Sequence, residues 1–226
     1  MSNIGVIGWQ YAQQALGISI KTNTDTQDIT WQQFTTDGPL AFLPLYDGFG
    51  SLVWYNTAEN IRWLKSLSNE KLKQEIVQTF PAELVDFEVL ATASFRLTRM
   101  HANRYFKGHV VLVGDAAHTI NPLAGQGVNL GFKDVTALLQ SLDKSTAKFG
   151  HQQALNAVNR QQWLTAYQSA RRLDNGLMMS AMDSLYGVFS NDFPPFSIIR
   201  NLGLKLANRS GPLKKQALKY AMGITQ

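Results

Sequence analysis

The sequence has no cysteine in its 226 residues, so it can form no disulfide, no zinc–thiolate site and no thiol nucleophile. It has no apolar run near the roughly 20 residues that a membrane-spanning helix needs. Its first residues include Gln10, Gln13 and Gln14, which a secretory signal would not carry. Neither the Gly-x-Ser-x-Gly elbow nor the His-Glu-x-x-His motif of hydrolases occurs. These absences favour a cytoplasmic protein without metal or hydrolase chemistry.

The composition that is present suits a globular protein of one or two domains, with 45% hydrophobic and 16% charged residues. The net charge of +5 is concentrated at the carboxyl terminus. After Asp192 there is no acid, and the basic residues there are Arg200, Lys205, Arg209, Lys214, Lys215 and Lys219. No nucleic-acid-binding module and no basic-aromatic interleaving accompanies them, so we expect no nucleic-acid partner.

Apolar residues recur among these cations in two predicted helices on either side of Ser210-Gly211-Pro212. The pattern has two interpretations. Basic amphipathic helices rest on anionic membrane surfaces, which would make the protein peripheral to the inner membrane. Alternatively, the helices pack against the rest of the protein and their lysines form a solvated rim.

The first half of the sequence predicts an antiparallel sheet with helices. Apolar and β-branched runs are separated by turn signals at Asp37-Gly38-Pro39 and Asp47-Gly48, as in a meander. The predicted strands are Ala15–Lys21, Trp31–Phe34, Leu40–Pro44, Leu52–Tyr55 and Val89–Leu97. The predicted helices are Ala58–Leu67 and Asn69–Phe80, the second capped by Ser68.

The second half predicts one strand followed by helices. The short apolar run His109–Val113 is typical of a buried strand and ends at a glycine and an acid. Helical spacing then runs from Val128 to Leu142, and an amphipathic pattern runs from Gln152 to Ser190. The fold class is therefore α+β. Residues 1–106 form a mainly antiparallel sheet with flanking helices, and residues 107–226 form a strand and a helical carboxyl-terminal region.

The most informative stretch joins that strand to the helix after it. It reads Gly114-Asp115-Ala116-Ala117-His118, then Asn121-Pro122, then Gly125-Gln126-Gly127-Val128-Asn129. Asp115 is expected at the carboxyl end of a strand, where open α/β sheets bind ligands, and a carboxylate there accepts hydrogen bonds from a diol. Two glycines before a helix expose backbone N–H groups at the positive end of the helix dipole. The stretch therefore predicts a site for a sugar-like chain and an anion.

As one ordered string, this stretch resembles the second flavin-binding motif of the aromatic-ring hydroxylases, the single-component FAD monooxygenases of the para-hydroxybenzoate hydroxylase type. Further segments resemble the branch of that family that acts in ubiquinone biosynthesis. These segments are Trp31–Phe34, Asp37–Leu45, Leu52–Tyr55, Pro194-Pro195, Arg200–Leu204 and Leu213–Ala221. Within the branch, the chain is most similar to the demethoxyubiquinol hydroxylases, with the octaprenylphenol hydroxylases as the nearest siblings.

The resemblance implies roles for the motif residues. Asp115, after Gly114, would hold hydroxyls of the FAD ribityl chain, and Pro122 would lie beside the isoalloxazine ring. The backbone around the second turn would face the pyrimidine edge of the flavin, where reduced flavin carries its negative charge. The residues of that backbone are Gly125, Gln126, Gly127, Val128 and Asn129. His118 is expected to be a hydrogen-bonded structural residue, and no catalytic residue is assigned.

The implied reaction is hydroxylation of the ring of a polyprenylated phenol or quinol by O2 and NAD(P)H, through a flavin C4a-hydroperoxide. Phe42, Pro44 and Trp54 are candidates for facing the substrate ring, and a plain core role stays open for each. Arg99 would contact flavin or substrate, or form a surface salt bridge. Other ubiquinone-biosynthesis proteins and a second copy of the chain are candidate partners.

One family feature is missing. Family members begin with a Gly-x-Gly-x-x-Gly loop that binds the ADP part of FAD, followed later by an Asp-Gly motif, and neither is found here. Gly5-Val6-Ile7-Gly8 is too short to replace the loop, and Gly125-x-Gly127-x-x-x-Gly131 has the wrong spacing. We therefore expect the carboxyl-terminal part of a larger FAD/NAD(P)-binding fold of roughly 400 residues, with weak or absent FAD binding by itself. Two non-enzymatic alternatives stay open, a binding or assembly subunit that retains the fold and a membrane-surface adaptor.

Overall fold

The computed structural model describes residues 3–23, 28–35, 37–81, 84, 86–189 and 211. A six-stranded sheet has the order β2-β3-β4-β1-β5-β8, and a separate pair joins β6 to β7. The strands are β1 (Val6–Thr22), β2 (Trp31–Thr35), β3 (Gly38–Pro44), β4 (Phe49–Thr57), β5 (Phe87–Ala102), β6 (Phe106–Lys107), β7 (Val110–Val111) and β8 (His118–Thr119). The helices are α1 (Ala58–Ser66), α2 (Asn69–Thr79), α3 (Gly127–Phe149), α4 (His151–Ala154) and α5 (Ala157–Phe189). This mixture of antiparallel sheet and helices confirms the α+β prediction.

Strands β2, β3 and β4 form the predicted antiparallel meander, and β1 pairs with β4. Leu40 lies opposite Trp54, and Trp54 lies opposite Leu16, so these apolar side chains share one face of the sheet. At the turn between β3 and β4, Asp47 has φ 54° and Gly48 has φ 71°. Asp-Gly tolerates this left-handed backbone, which explains why the signal read from the sequence marks the turn correctly.

Helices α1 and α2 contribute to the same core as the sheet. Their apolar residues Ile61, Leu64 and Ile76 are fully buried, at 0% exposure. Each buried side chain of this kind contributes about 1.5–3 kcal/mol. The predicted cap of α2 is present, since the Ser68 hydroxyl accepts the Lys71 amide at 3.4 Å.

Contacts divide the chain into two compact units. One contains Gln10–Leu97, and the other contains the residues up to Trp9 together with Thr98–Tyr186. The sequence predicted a single boundary after residue 106, whereas the contacts assign residues 98–106 to the second unit. The reason is the pairing of the end of β5 with β8, where Met100 lies opposite Thr119.

Several predicted elements differ in extent from the observed ones. The strand predicted over Ala15–Lys21 begins already at Val6, and the strand predicted over Val89–Leu97 continues to Ala102. The strand predicted over His109–Val113 is only β7, and Val110 is 43% exposed, because β7 pairs with β6 and lies outside the large sheet. Helix α3 continues past the predicted end at Leu142 to Phe149, because the next helix-ending residue is Gly150, with φ 79°. Helices α4 and α5 form the predicted amphipathic segment, and the predicted helices of the basic tail lie outside the described residues.

Candidate functional site

The predicted motif begins with a tight turn at residues 114–116, which we call the Gly-Asp turn. Gly114 has φ 56°, a left-handed conformation that glycine adopts without strain. The Ala117 amide closes the turn by donating to the Gly114 carbonyl at 2.8 Å. Asp115 is exposed on this turn. Its carboxylate is therefore open to hydroxyl donors.

A second turn leads into α3. Pro122 starts it, and Gly125, with φ 62°, ends it by donating its amide to the Pro122 carbonyl at 3.0 Å. Gln126 lies at the N-cap of α3 and makes no side-chain cap. A Cβ placed on Gly125 or Gly127 would meet no atom within 4 Å, so both backbones face open space. This uncapped helix start can accept an anion on its first N–H groups.

The remaining motif residues lie on the first turn of α3. Val128 is 69% exposed, Asn129 is also exposed, and Gln126 is 9% exposed. The Asn129 amide donates to Gln126 Oε1 at 3.4 Å. The eight predicted flavin-contacting residues thus lie on two consecutive turns and the start of one helix, within one unit.

A buried carboxylate on α3 holds the Gly-Asp turn in place. Asp134 is 0% exposed. Its donors are the Gly114 amide at 3.0 Å, His118 Nε2 at 2.5 Å, Arg171 Nε at 2.8 Å and Asn175 Nδ2 at 3.0 Å. Burial raises the pKa of Asp134, but hydrogen bonds from His118, Asn175 and Arg171 outweigh burial and lower the pKa to about 2. Asp134 is therefore ionised at neutral pH and ties the turn to α3 and α5.

Two glycine patterns that resembled nucleotide loops are explained by packing. A Cβ on Gly131 would lie 3.4 Å from Cα of Gly114, so the α3 backbone lies directly against the Gly-Asp turn. Gly8 lies inside β1, where a Cβ would clash with the carbonyl oxygen of Arg99. Both glycines permit close backbone approach.

Buried polar atoms lie within the motif. His118 is 1% exposed and bonds to Asp134 through Nε2, as expected of a structural histidine, while its Nδ1 has no partner among the described residues. Asn121, next to Pro122, is also 1% exposed, and neither of its amide atoms has a partner in the described chain. Since unpaired buried polar groups are costly, the motif retains hydrogen-bonding capacity that its own residues do not use.

Hydrogen bonds continue from Asp134 to β5. Asn175 Nδ2 also donates to the Tyr105 hydroxyl at 3.1 Å, and that hydroxyl bonds with His101 Nε2 at 2.9 Å. Burial raises the pKa of Tyr105 to about 12. Burial, followed by the charge of Arg172, lowers the pKa of His101 to about 4. Both side chains are therefore neutral at physiological pH.

Sequence reasoning missed this network, although one signal was present. Asp134 lies on the buried face of α3 with Leu130, a position where an unpaired acid is rare. Its partners Arg171 and Asn175 are spaced four residues apart on α5. The pairing itself could not be predicted from the sequence, because 37 residues separate Asp134 from Arg171.

The three substrate candidates lie in the other unit. Phe42 and Trp54 are 1% and 4% exposed in its core, where Trp54 packs edge-on against Phe80 with centroids 5.3 Å apart. A Cβ on Gly50 would lie 2.6 Å from the Phe42 ring, so the ring packs over that glycine. Pro44 is half-buried. Core packing accounts for Phe42 and Trp54 without a substrate, which favours the core role that the sequence left open for them.

Arg99 forms an ion pair. Its Nε lies 2.6 Å from Asp183, and its side chain is 13% exposed. The guanidinium also lies over the ring of Trp9, 4.3 Å from the centroid. Of the two roles expected for Arg99, the structure therefore shows the salt bridge, and this salt bridge is largely buried instead of lying on the surface.

A family model described as an FAD binding domain matches residues 7–172. The chain belongs to the FAD binding domain family. The match includes both turns of the motif and the Asp134–Arg171 pair. The arrangement around the Gly-Asp turn is therefore found within the part of the chain that defines the family.

Two relatives match almost the whole chain. The 3-demethoxyubiquinol 3-hydroxylase of Escherichia coli (strain K12) is 50% identical over 224 residues, which cover 99% of this chain and 56% of that protein. The human mitochondrial ubiquinone biosynthesis monooxygenase COQ6 is 31% identical over 250 residues, covering 95% of this chain and 52% of that protein. The chain thus spans about half the length of both relatives.

The fold is also found in solved structures. The p-nitrophenol 4-monooxygenase PnpA from Pseudomonas putida DLL-E4 matches with a TM-score of 0.69, covering 96% of this chain and 53% of that chain. At 16% identity, this likeness supports the fold alone.

The two turns fit the ring and ribityl parts of FAD. The exposed acid suits hydroxyl donors, and the open glycine backbones leave space for a flat ring beside the uncapped helix start. The described residues contain no group of acidic and imidazole side chains suited to a metal ion. No helix in the described ranges has the length and apolarity that a bilayer crossing requires.

Proposed function

We propose that this chain carries the flavin-ring half of an FAD-dependent monooxygenase that hydroxylates a polyprenylated phenol or quinol in ubiquinone biosynthesis. The observation that carries the proposal is the exposed Asp115 on a turn fixed by Asp134, followed by the open, uncapped start of α3. The names of the two relatives support the substrate class, since both are enzymes of ubiquinone metabolism that match nearly the whole chain.

The residues of the chain would bind and orient the cofactor. Asp115 would accept hydrogen bonds from ribityl hydroxyls, and Pro122 would lie beside the ring. The N–H groups at the start of α3 would stabilise negative charge at the pyrimidine edge. When bound, reduced flavin supplies the electrons that activate O2 for ring hydroxylation. Asp134 keeps Asp115 in position throughout.

The setting of the reaction belongs to the same proposal. NAD(P)H is the reductant, and the protein is cytoplasmic and peripheral to the inner membrane, where a polyprenylated substrate resides. The basic tail after Asp192 supports peripheral contact by its charge. Other ubiquinone-biosynthesis proteins and a second copy of the chain are its candidate partners.

Comparing the binding of FMN with that of FAD tests whether the chain carries only the flavin-ring half of the FAD site, which we call the half-site. A chain that contacts the ring and the ribityl part, without adenosine contacts, binds both flavins with similar, weak affinity, which quenching of flavin fluorescence measures. Asp115→Asn weakens both by about tenfold, because a hydrogen bond to a charged group contributes about 1.5–3 kcal/mol. Asp47→Asn, an exposed acid in the other unit, is the matched control.

Two results would contradict the half-site. FAD bound at unit stoichiometry and far more tightly than FMN would place adenosine contacts within the chain. Equal effects of the two substitutions would remove Asp115 from the site. The substrate is tested separately, by supplying the full-length protein that contains this chain to strains blocked at each ring hydroxylation. Restoration at one position identifies the ring carbon, and failure at all of them contradicts the monooxygenase proposal.

A further inference from the structure

A concave surface lies along β5 and α5, apart from the flavin motif. It is an open cleft of about 530 Å³ whose lining includes Arg99, His101, Gln168, Arg172, Leu173 and Leu177. None of the predicted flavin-contacting residues lines it. His101 belongs both to this lining and to the hydrogen-bonded network that ends at Asp134. The cleft is therefore separate from the motif but connected to it.

The two arginines of the cleft differ in how they are held. Arg99 is fixed, because Asp183 accepts its Nε–H and the ring of Trp9 packs on its guanidinium. In the described chain, no residue accepts a hydrogen bond from its terminal nitrogens. Arg172 is exposed and has no ion-pair or hydrogen-bond partner among the described residues. A fixed guanidinium beside an unpaired one is suited to a tetrahedral oxyanion.

His101 adds a neutral donor to the cleft. Asn175 donates to the Tyr105 hydroxyl, so the hydroxyl proton is available to His101 Nε2. A neutral imidazole that accepts at Nε2 carries its proton on Nδ1. The depressed pKa of His101, about 4, keeps the ring in this neutral form at physiological pH. The charges of Arg172 and Arg99 contribute to that depression, which indicates a positive local potential.

We propose that this cleft binds a phosphate group through Arg99, His101 and Arg172. Because His101 ends a hydrogen-bonded chain that leads to Asp134, the bound phosphate also acts on the carboxylate that holds the Gly-Asp turn. The phosphate belongs to a soluble ester or to a lipid headgroup. The inference goes beyond the proposed monooxygenase function, and its failure leaves that function untouched.

Titration of the 226-residue chain with inorganic phosphate, followed by NMR of the histidine side chains, tests the site. The resonance of His101 shifts with saturation, and its pKa rises from about 4 towards the ordinary value of 6.5, because the anion offsets the arginine charges. Chloride at equal ionic strength leaves the His101 resonance unshifted. Arg172→Gln weakens phosphate binding about tenfold or more, since it removes a charge-assisted contact, and Arg172→Lys weakens it less. Arg62→Gln, which removes an exposed charge on α1, leaves binding unchanged.

The site is overturned if the His101 shift never saturates with phosphate. It is also overturned if Arg172→Gln and Arg62→Gln reduce that shift equally. The connection to the motif has its own readout, the backbone amide of Gly114. In the unmodified chain this amide shifts with the same saturation curve as His101. In Tyr105→Phe the phosphate still binds while the Gly114 shift disappears. A Gly114 amide that stays fixed while His101 titrates overturns the connection.

The source of the phosphate is distinguished with two soluble probes, glycerol phosphate and dihexanoyl phosphatidylglycerol kept below its micelle concentration. Leu173 and Leu177 are 71% and 63% exposed in the cleft lining, where an acyl chain would contact them. Tighter binding of the lipid, lost in Leu173→Ser, assigns the cleft to a lipid headgroup. Equal binding assigns it to a soluble phosphate ester, and binding of neither probe overturns the proposal.

Discussion

Among single residues, Asp134 fixes the turn that carries the proposed flavin contact. Asp134→Asn keeps an acceptor for the Gly114 amide but removes the charge that Arg171 pairs with. Breaking a buried ion pair costs about 3–5 kcal/mol. Because Arg171 keeps Asp174 as a partner at 2.6 Å, we expect Asp134→Asn to lower the free energy of unfolding by about 3 kcal/mol. Urea denaturation at neutral pH measures this loss. Asp143→Asn, exposed on the same helix, changes the free energy of unfolding by less than about 0.5 kcal/mol. Equal losses would contradict the role of Asp134.

Asp134 also makes the free energy of unfolding depend on acid pH. Its pKa is lowered from 3.8 to about 2 in the folded chain, so the unfolded chain takes up this proton at the higher pH. The stabilisation is therefore complete above the ordinary pKa and is lost as the pH falls from about 4 towards 2. We expect the difference in melting temperature between the parent chain and Asp134→Asn to shrink across this window. A constant difference would show that Asp134 does not titrate there.

Gly114 is required for its backbone conformation. A Cβ at this position would lie 3.7 Å from the nearest atom, so Gly114→Ala introduces no clash. The variant is destabilised only because alanine must adopt the left-handed φ of 56°. Left-handed backbone costs a non-glycine residue about 1–2 kcal/mol, and we expect a loss of that size in thermal denaturation. Gly127→Ala is the matched control, because Gly127 lies in the first turn of α3 with open space around it. A comparable loss in both variants would contradict the strain argument.

Among the elements, α3 exposes an apolar stripe. Val128, Phe132, Val135 and Leu139 follow helical spacing and are 69%, 67%, 43% and 53% exposed. We expect Phe132→Ala to change the free energy of unfolding by less than about 0.5 kcal/mol while reducing self-association in sedimentation velocity, because exposed apolar stripes associate. Leu130→Ala, at a fully buried position of the same helix, costs about 2–5 kcal/mol. A Phe132 variant as unstable as the Leu130 variant would show that the stripe is covered in the isolated chain.

The elements themselves could be predicted from local signals, whereas the support of the site could not. Asp47-Gly48 and Ser68 mark a turn and a helix start because their backbone and capping preferences act over a few residues. The apolar spacing predicts an end of α3 at Leu142, whereas the helix continues through a polar stretch to Phe149 and ends before Gly150. The motif residues are contiguous in sequence, so they were readable together. The partners of Asp134 were not, because the contacts join separate helices.

At the scale of the whole molecule, the uneven charge makes a test of membrane contact possible. We expect the chain to float with vesicles of anionic phosphatidylglycerol, and not with neutral phosphatidylcholine, because each basic residue near an anionic surface contributes about 1 kcal/mol. Replacing Lys214, Lys215 and Lys219 by glutamine then weakens flotation by about a hundredfold, since about 1.4 kcal/mol corresponds to a factor of ten. The matched control replaces three exposed lysines elsewhere, Lys65, Lys71 and Lys144, with the same change in net charge. If both triple variants float equally, net charge alone drives binding. If neither lipid floats the chain, the membrane interpretation is contradicted.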